Sequence, residues 1–151
     1  MVNMQTALSE KFAVVPDGSI TTPKGFRAGG LHCGLKKTGK YDLGAIVCDV
    51  PASAAGVYTL NAFQAAPLGV TRDSLSREGK LQAIVVNSGN ANACTGKRGL
   101  EDALAMRAAA AEAFGVPEHY VGVSSTGVIG ELLPMDKVRQ GIAQLPGRLK
   151  A

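Results

Sequence analysis

Leu81-Gln82-Ala83-Ile84-Val85-Val86 leads into Asn87-Ser88-Gly89-Asn90-Ala91-Asn92-Ala93-Cys94-Thr95-Gly96, and a long run from Gly99 to Phe114 follows. The first segment reads as a buried strand, because a short apolar run with branched residues, bounded by turn formers, suits a sheet. The last reads as a helix: Leu100, Ala103, Leu104, Ala108, Ala111 and Phe114 recur at helical spacing and are assigned to the core. Glu101 and Asp102 suit its positive amino end, and Gly115 followed by Pro117 stops it. A second apolar strand, Val121 to Ser124, comes next. Strand, helix and strand in this order place the chain in the α/β class.

The pattern extends in both directions. Upstream, Leu43 to Val50 reads as a strand stopped by Pro51, with further short strands at Gly56 to Asn61 and Leu68 to Thr71. Downstream, Pro134 to Leu145 reads as a helix with Met135, Val138, Ile142 and Leu145 on one side. Gly141 inside it should cost about 1 kcal/mol relative to Ala. Residues Met1 to Lys24 form a leading arm, with a turn at Pro16-Asp17-Gly18 and an extended Thr21-Thr22-Pro23.

At 151 residues the chain suits a single domain, 1–151, large enough to bury about 68 to 70% of its unfolded surface. The 46% hydrophobic content argues against wholesale disorder, while 5% aromatics and 19 glycines point to aliphatic packing with many tight turns. Sixteen Lys and Arg against twelve Asp and Glu leave a net charge of +4, which favours anionic ligands. The cations are scattered and not interleaved with aromatics, so no nucleic acid is expected as a partner. No stretch approaches the roughly 18 apolar residues of a membrane span, and Met1 to Glu10 lack the pattern of a secretory leader. Cys33, Cys48 and Cys94 are odd in number and show no Cys-x-x-Cys spacing, so no metal is expected and a reducing, cytoplasmic setting fits.

Four places carry chemistry-bearing residues. In Val121 to Gly130, Ser124, Ser125 and Thr126 supply hydroxyls, and Gly127 lets a ligand approach its backbone N–H closely. Donors fixed at a strand end can stabilise a developing oxyanion, and the competing reading is a Ser/Thr turn bonded to its own backbone. Asn87, Asn90 and Asn92 could bind a substrate amide or carboxylate, but a tight turn needs the same residues, and the structural reading is favoured. Gly34-Leu35-Lys36-Lys37-Thr38-Gly39-Lys40-Tyr41 is one residue short of a phosphate-binding loop, with Tyr41 where a hydroxyl should hold Mg²⁺ and a strand where a helix should follow. His32 and Cys33 should point to opposite faces as strand neighbours, and Cys94 is read as a small buried residue.

The loop Asn87 to Gly96, with Ser125-Thr126-Gly127-Val128-Ile129-Gly130 and Leu133-Pro134-Met135, closely resembles the ornithine acetyltransferase (glutamate N-acetyltransferase) family of arginine biosynthesis. Pro23 to Ala28, Asp42 to Ile46, Pro51 to Val57 and Ala65-Ala66-Pro67 occur in the same order as in that family's amino-terminal half. The resemblance implies layered mixed sheets and helices, similar in appearance to amino-terminal-nucleophile hydrolases and incomplete without a β chain. It also implies ping-pong acetyl transfer from N-acetylornithine to glutamate through an acetyl-threonine intermediate, with Thr126 and Gly127 as the oxyanion donors. No bound cofactor is implied; acetyl-CoA is a donor substrate in bifunctional members. The implied partner is a β chain cut from the same precursor, in an α2β2 heterotetramer. No cleavage motif appears here, and Gly147-Arg148-Leu149-Lys150-Ala151 does not resemble the usual continuation. The expectation is therefore an α-chain portion ending before the cleavage site, with the nucleophilic threonine outside it. Two other readings stay open: a nucleotide-binding domain using Gly34 to Lys40, and a non-catalytic interaction domain.

Overall fold

The computed structural model describes residues 13–151, so the amino-terminal part of the leading arm lies outside the described residues. Elements follow as β1 (Phe26–Leu31), β2 (Leu43–Ser53), α1 (Ala66–Glu78), β3 (Lys80–Asn90), α2 (Gly96–Phe114), a 3-10 turn (Glu118–Tyr120), β4 (Val121–Val128), α3 (Met135–Gln144) and a second 3-10 turn (Leu145–Arg148). Among the described residues the strands make one four-stranded sheet in the order β1-β2-β3-β4. The first two pairings are antiparallel and β3–β4 is parallel. A parallel pair needs a crossover, and α2 supplies it by carrying the chain from the end of β3 back to the start of β4.

Alternation along the strands builds the core. Leu43, Ala45 and Val47 of β2 and Ala83 and Val85 of β3 are buried, and Met106 and Ala110 of α2 join them in one cluster with Val138 and Ile142 of α3. Burying such side chains, at about 1.5 to 3 kcal/mol each, is what fastens the helices to the sheet. Helix α1 lies along the free edge of β4. Its Thr71 hydroxyl donates to Val123 O (2.8 Å) and accepts from Val123 N (2.9 Å), and Ser74 Oγ donates to Val121 O (2.8 Å). Side chains thus satisfy edge groups that would otherwise invite pairing with another chain.

Several expectations need correction. Leu68 to Thr71 is helical, within α1, because its buried positions include the hydroxyls that bond β4 and so show no apolar periodicity. Gly56 to Asn61 is not a strand. Thr59 Oγ1 accepts from Asn61 N (3.2 Å) and Asn61 Oδ1 from Phe63 N (2.9 Å), local bonds that compete with a ladder, while Val57, Leu60 and Phe63 stand exposed. Pro51 does not end β2, because a register shift between Val47 and Ala52 accommodates it. The Pro16-Asp17-Gly18 turn is present, but a further turn closes from Thr22 N to Ser19 O, so Thr21 lies in a turn and is not extended. On α2, Ala103 and Ala111 are buried as expected, whereas Leu100 and Leu104 remain 46% and 38% exposed and Met106 takes the deepest place. An alanine-rich helix offers too little contrast to say which stripe faces inward.

Helix α3 matches its expected face, with Met135, Val138, Ile142 and Leu145 buried. Gly141 acquires a reason the sequence does not show: a Cβ there would sit 2.6 Å from Leu43 Cδ2 and 2.7 Å from Cys33 Cβ. The glycine lets α3 press against the sheet. Overpacking costs about 1 to 3 kcal/mol and outweighs the roughly 1 kcal/mol of helix propensity that alanine restores. Gly141→Ala is expected to lower the urea midpoint at unchanged m-value; an unchanged or higher midpoint would contradict this packing argument.

Candidate functional site

At one end of the sheet the polar tails of β3 and β4 run side by side, pairing Asn87 with Ser125, Ser88 with Thr126 and Gly89 with Gly127. The segment from Asn87 to Asn90, expected as a turn, is strand, and β4 likewise continues to Val128. Register then breaks, since Asn90 pairs with both Thr126 and Val128, leaving Gly127 in a bulge. Gly127 has φ 132°, and a Cβ there would lie 2.6 Å from Asn90 N and 2.6 Å from Gly89 O. Only glycine fits. Beyond the bulge, Ala91 N donates to Val128 O (2.8 Å) and Gly130 N to Ala93 O (2.9 Å), so the segment stays tied on both sides.

Thr126 and Gly127 are exposed on this tied strand end, and Ser125 Oγ is buried with no hydrogen-bond partner. The hydroxyl cluster therefore does not form the self-bonded turn of the competing reading. Bulges of this kind re-aim side chains and are frequent beside active sites. Thr126 and Gly127 lie side by side on this strand end, which is hydrogen-bonded just beyond them at Val128 and Gly130.

The asparagines serve the structure. Asn90 Nδ2 donates to Glu131 O (3.0 Å) and Leu132 O (3.1 Å), while its Oδ1 accepts from Asn92 N (2.9 Å). Asn92 Nδ2 donates to Gly99 O (2.9 Å), and its Oδ1 accepts from Thr95 Oγ1 (2.7 Å), which fixes the start of α2. Asn87 Nδ2 donates to Asn90 O (2.9 Å). These buried amides hold the loop after β3 and the chain after β4 in place. Cys94 is exposed, with φ 57°, rather than buried: the turn into α2 directs it outward.

The loop between β1 and β2 closes on Asp42, which opens one of the family motifs but has no role legible from it. Asp42 is 2% exposed, and its carboxylate accepts from Cys33 N (2.7 Å), Leu35 N (2.8 Å) and Lys36 N (2.9 Å). Two of the loop's amides, those of Leu35 and Lys36, are thus turned onto Asp42, and a strand rather than a helix follows the loop, both of which argue against the Gly34 to Lys40 nucleotide reading. His32 Nδ1 also lies 2.9 Å from Asp42 Oδ2, and the same carboxylate acts on the Cys33 thiol. Opposite faces were expected for His32 and Cys33. They converge because β1 ends at Leu31 and strand alternation stops there. Burial, then the hydrogen bond to Asp42, pushes the Cys33 thiol up to about 11, which leaves it no nucleophile at neutral pH.

Burial by itself would raise the Asp42 carboxyl; the Lys36, Cys33 and Leu35 amides and the Cys33 thiol outweigh it and bring it from 3.8 to about 2. A depressed folded-state value stabilises the fold above the unfolded-state value and is lost as pH falls through the folded one. About 2 kcal/mol should therefore disappear between roughly pH 4 and pH 2. Urea unfolding from pH 5 to pH 2 should show this loss in the parent and a flatter profile in Asp42→Asn; parallel profiles would contradict it.

Sheet order, helices and polar sheet end together define a mixed α/β chain with a candidate site at one end of its sheet. The ArgJ family model matches residues 27–151, and the chain belongs to that family. It is 70% identical over 131 residues to the arginine biosynthesis bifunctional protein ArgJ of Bacillus anthracis, covering 87% of this chain and 32% of that protein. To the protein of the same name from Halalkalibacterium halodurans it is 67% identical over 128 residues, covering 85% of this chain and 31% of that one. The chain thus spans about a third of the length of the curated relatives it matches. The crystal structure of arginine biosynthesis bifunctional protein ArgJ from Bacillus halodurans superposes with a TM-score of 0.85 at 65% identity, over 87% of this chain and 68% of that one. Ornithine acetyltransferase from Mycobacterium tuberculosis, solved with ornithine, also gives 0.85, at 39% identity over 90% of this chain and 73% of that one.

Proposed function

We propose that this chain is the amino-terminal, α-chain part of an acetyltransferase that moves an acetyl group from N-acetylornithine to glutamate, with Thr126 and Gly127 as its oxyanion donors. The observation that supports this most is the bulge at Gly127, which holds the exposed Thr126–Gly127 pair on a tied strand end. The acyl-accepting threonine lies in a part of the protein outside these 151 residues. Its hydroxyl oxygen attacks the acetyl carbonyl, its proton passing to a nearby base, and the tetrahedral oxyanion accepts from the Thr126 hydroxyl and the Gly127 N–H. The C–N bond then breaks, ornithine leaves with a proton on its amine, and an acetyl ester remains. The glutamate amine attacks that ester through a second oxyanion in the same donors, releasing N-acetylglutamate and restoring the hydroxyl. In bifunctional members acetyl-CoA supplies the acetyl group instead.

The partner in this reading is a β chain from the same precursor, in a cytoplasmic α2β2 assembly. Ornithine held by the Mycobacterium tuberculosis structure supports the substrate class, and exposed Val57, Leu60 and Phe63 are suited to contact with further chain. Under this reading the purified 151-residue chain shows no turnover of N-acetylornithine, whereas the complete processed protein transfers acetyl to glutamate. Turnover by the chain alone would refute the division of labour, and a complete protein without acyl transfer would favour the interaction-domain reading.

A further inference from the structure

We propose that Asp42 is a positioning residue for the oxyanion donors: its carboxylate clamps the Cys33–Lys36 backbone over Gly89, and Gly89 in turn seats Gly127. The proposal rests on the reading of Thr126 and Gly127 given above. Its observations are independent of that reading. The three amides on Asp42 draw the loop into a tight curl, and Lys137 Nζ on α3 donates to Gly34 O (3.1 Å), holding the same curl from the other side. The curl rests on β3 so closely that a Cβ on Gly89 would lie 3.3 Å from Lys36 Cγ and 3.5 Å from the Leu35 carbonyl carbon. On its other side Gly89 backs directly onto Gly127, where a Cβ would run into the Gly89 carbonyl carbon. Asp42 also acts through its own backbone, since Ser88 N donates to Asp42 O (2.8 Å), and Ser88 is the partner of Thr126 in the parallel ladder. Both donors therefore back onto residues that Asp42 or its loop touches.

Oxyanion donors are sensitive to this kind of support. The hydrogen bond tightens only as charge develops, so a displacement of well under 1 Å is felt in kcat before it is felt in substrate binding. Asp42→Asn keeps the side-chain shape but turns an amide NH₂ toward backbone N–H groups, loosening the curl without opening a cavity.

The test is a double-mutant cycle in the complete processed protein, using Asp42→Asn, Thr126→Ala and both together, with kcat and KM for N-acetylornithine as readouts. Asp42→Asn is expected to lower kcat about tenfold with KM changed less than about twofold, in the parent and, through Gly127, in Thr126→Ala as well. Parental kcat in Asp42→Asn beside a strong Thr126→Ala effect overturns the positioning role alone. A silent Thr126→Ala overturns the oxyanion reading itself, and this proposal with it. If Asp42→Asn does not fold, Lys137→Ala loosens the same curl from an exposed site. A several-fold loss of kcat at constant KM supports the clamp, and an unchanged kcat overturns it.

Discussion

Thr126→Ala in the complete, processed enzyme is expected to lower kcat a hundredfold to a thousandfold, about 2.7 to 4 kcal/mol of transition-state stabilisation, with KM for N-acetylornithine much less affected. The asymmetry follows from when the hydrogen bond forms. A hydroxyl aimed at the developing oxyanion contributes little to the ground-state complex, so its removal is felt in the chemical step. Thr126→Ser should retain much of the rate, because it keeps the donor and loses only a methyl group on an exposed residue. In the proposed scheme self-cleavage of the precursor would pass through an oxyanion at another carbonyl, so processing is to be confirmed by gel before the kinetics are compared. Fully processed Thr126→Ala turning over at the parental rate would return Thr126 to a purely structural role.

Gly127→Ala should do more damage, and of a different kind. The backbone there has φ 132°, a region closed to alanine except at a strain of about 1 to 3 kcal/mol, and the new methyl would lie 2.6 Å from Asn90 N and from Gly89 O. Both neighbours are backbone and cannot swing aside, so an overpacking cost of about 1 to 3 kcal/mol adds to the strain. The bulge should give way, separating β4 from β3 at the site and removing the second oxyanion donor together with the setting of the first. We expect a lower denaturation midpoint and a loss of transfer greater than that of Thr126→Ala. A variant within about 1 kcal/mol of the parent in stability and with measurable parental turnover would contradict the bulge geometry and its proposed use.

Much of the candidate site is legible in the amino-acid sequence. The strand Leu81 to Val86, the strand beginning at Val121 and the hydroxyls after it are local signals, and the ordered family motifs pointed to Thr126 and Gly127. The structural reading of the asparagines agrees with the fold, in which Asn90 and Asn92 spend their amides on the backbone of flanking segments. Asp42 opens one of the ordered family motifs, Asp42 to Ile46, but a lone carboxylate ahead of a strand carries no local signal of a role. Its meaning depends on three amides contributed by a loop that curls back onto it.

The amino-acid sequence by itself determined the α/β class, the two central apolar strands, the inward face of α3 and the family to which the motifs belong. Each is a signal carried by side-chain periodicity or by a short string of residues, and needs no distant partner to be read. Tertiary structure alone decided the rest. Phe26–Leu31 became a strand because β2 offers it a register, and Ala66–Glu78 became a helix whose polar hydroxyls belong inside because they meet the edge of β4. Asn87–Asn90 stayed extended because β4 runs beside it, and Gly127 and Gly141 are required where one segment lies against another. Backbone hydrogen bonds and close approach between segments distant in sequence do not depend on the local pattern, so only the assembled fold specifies them.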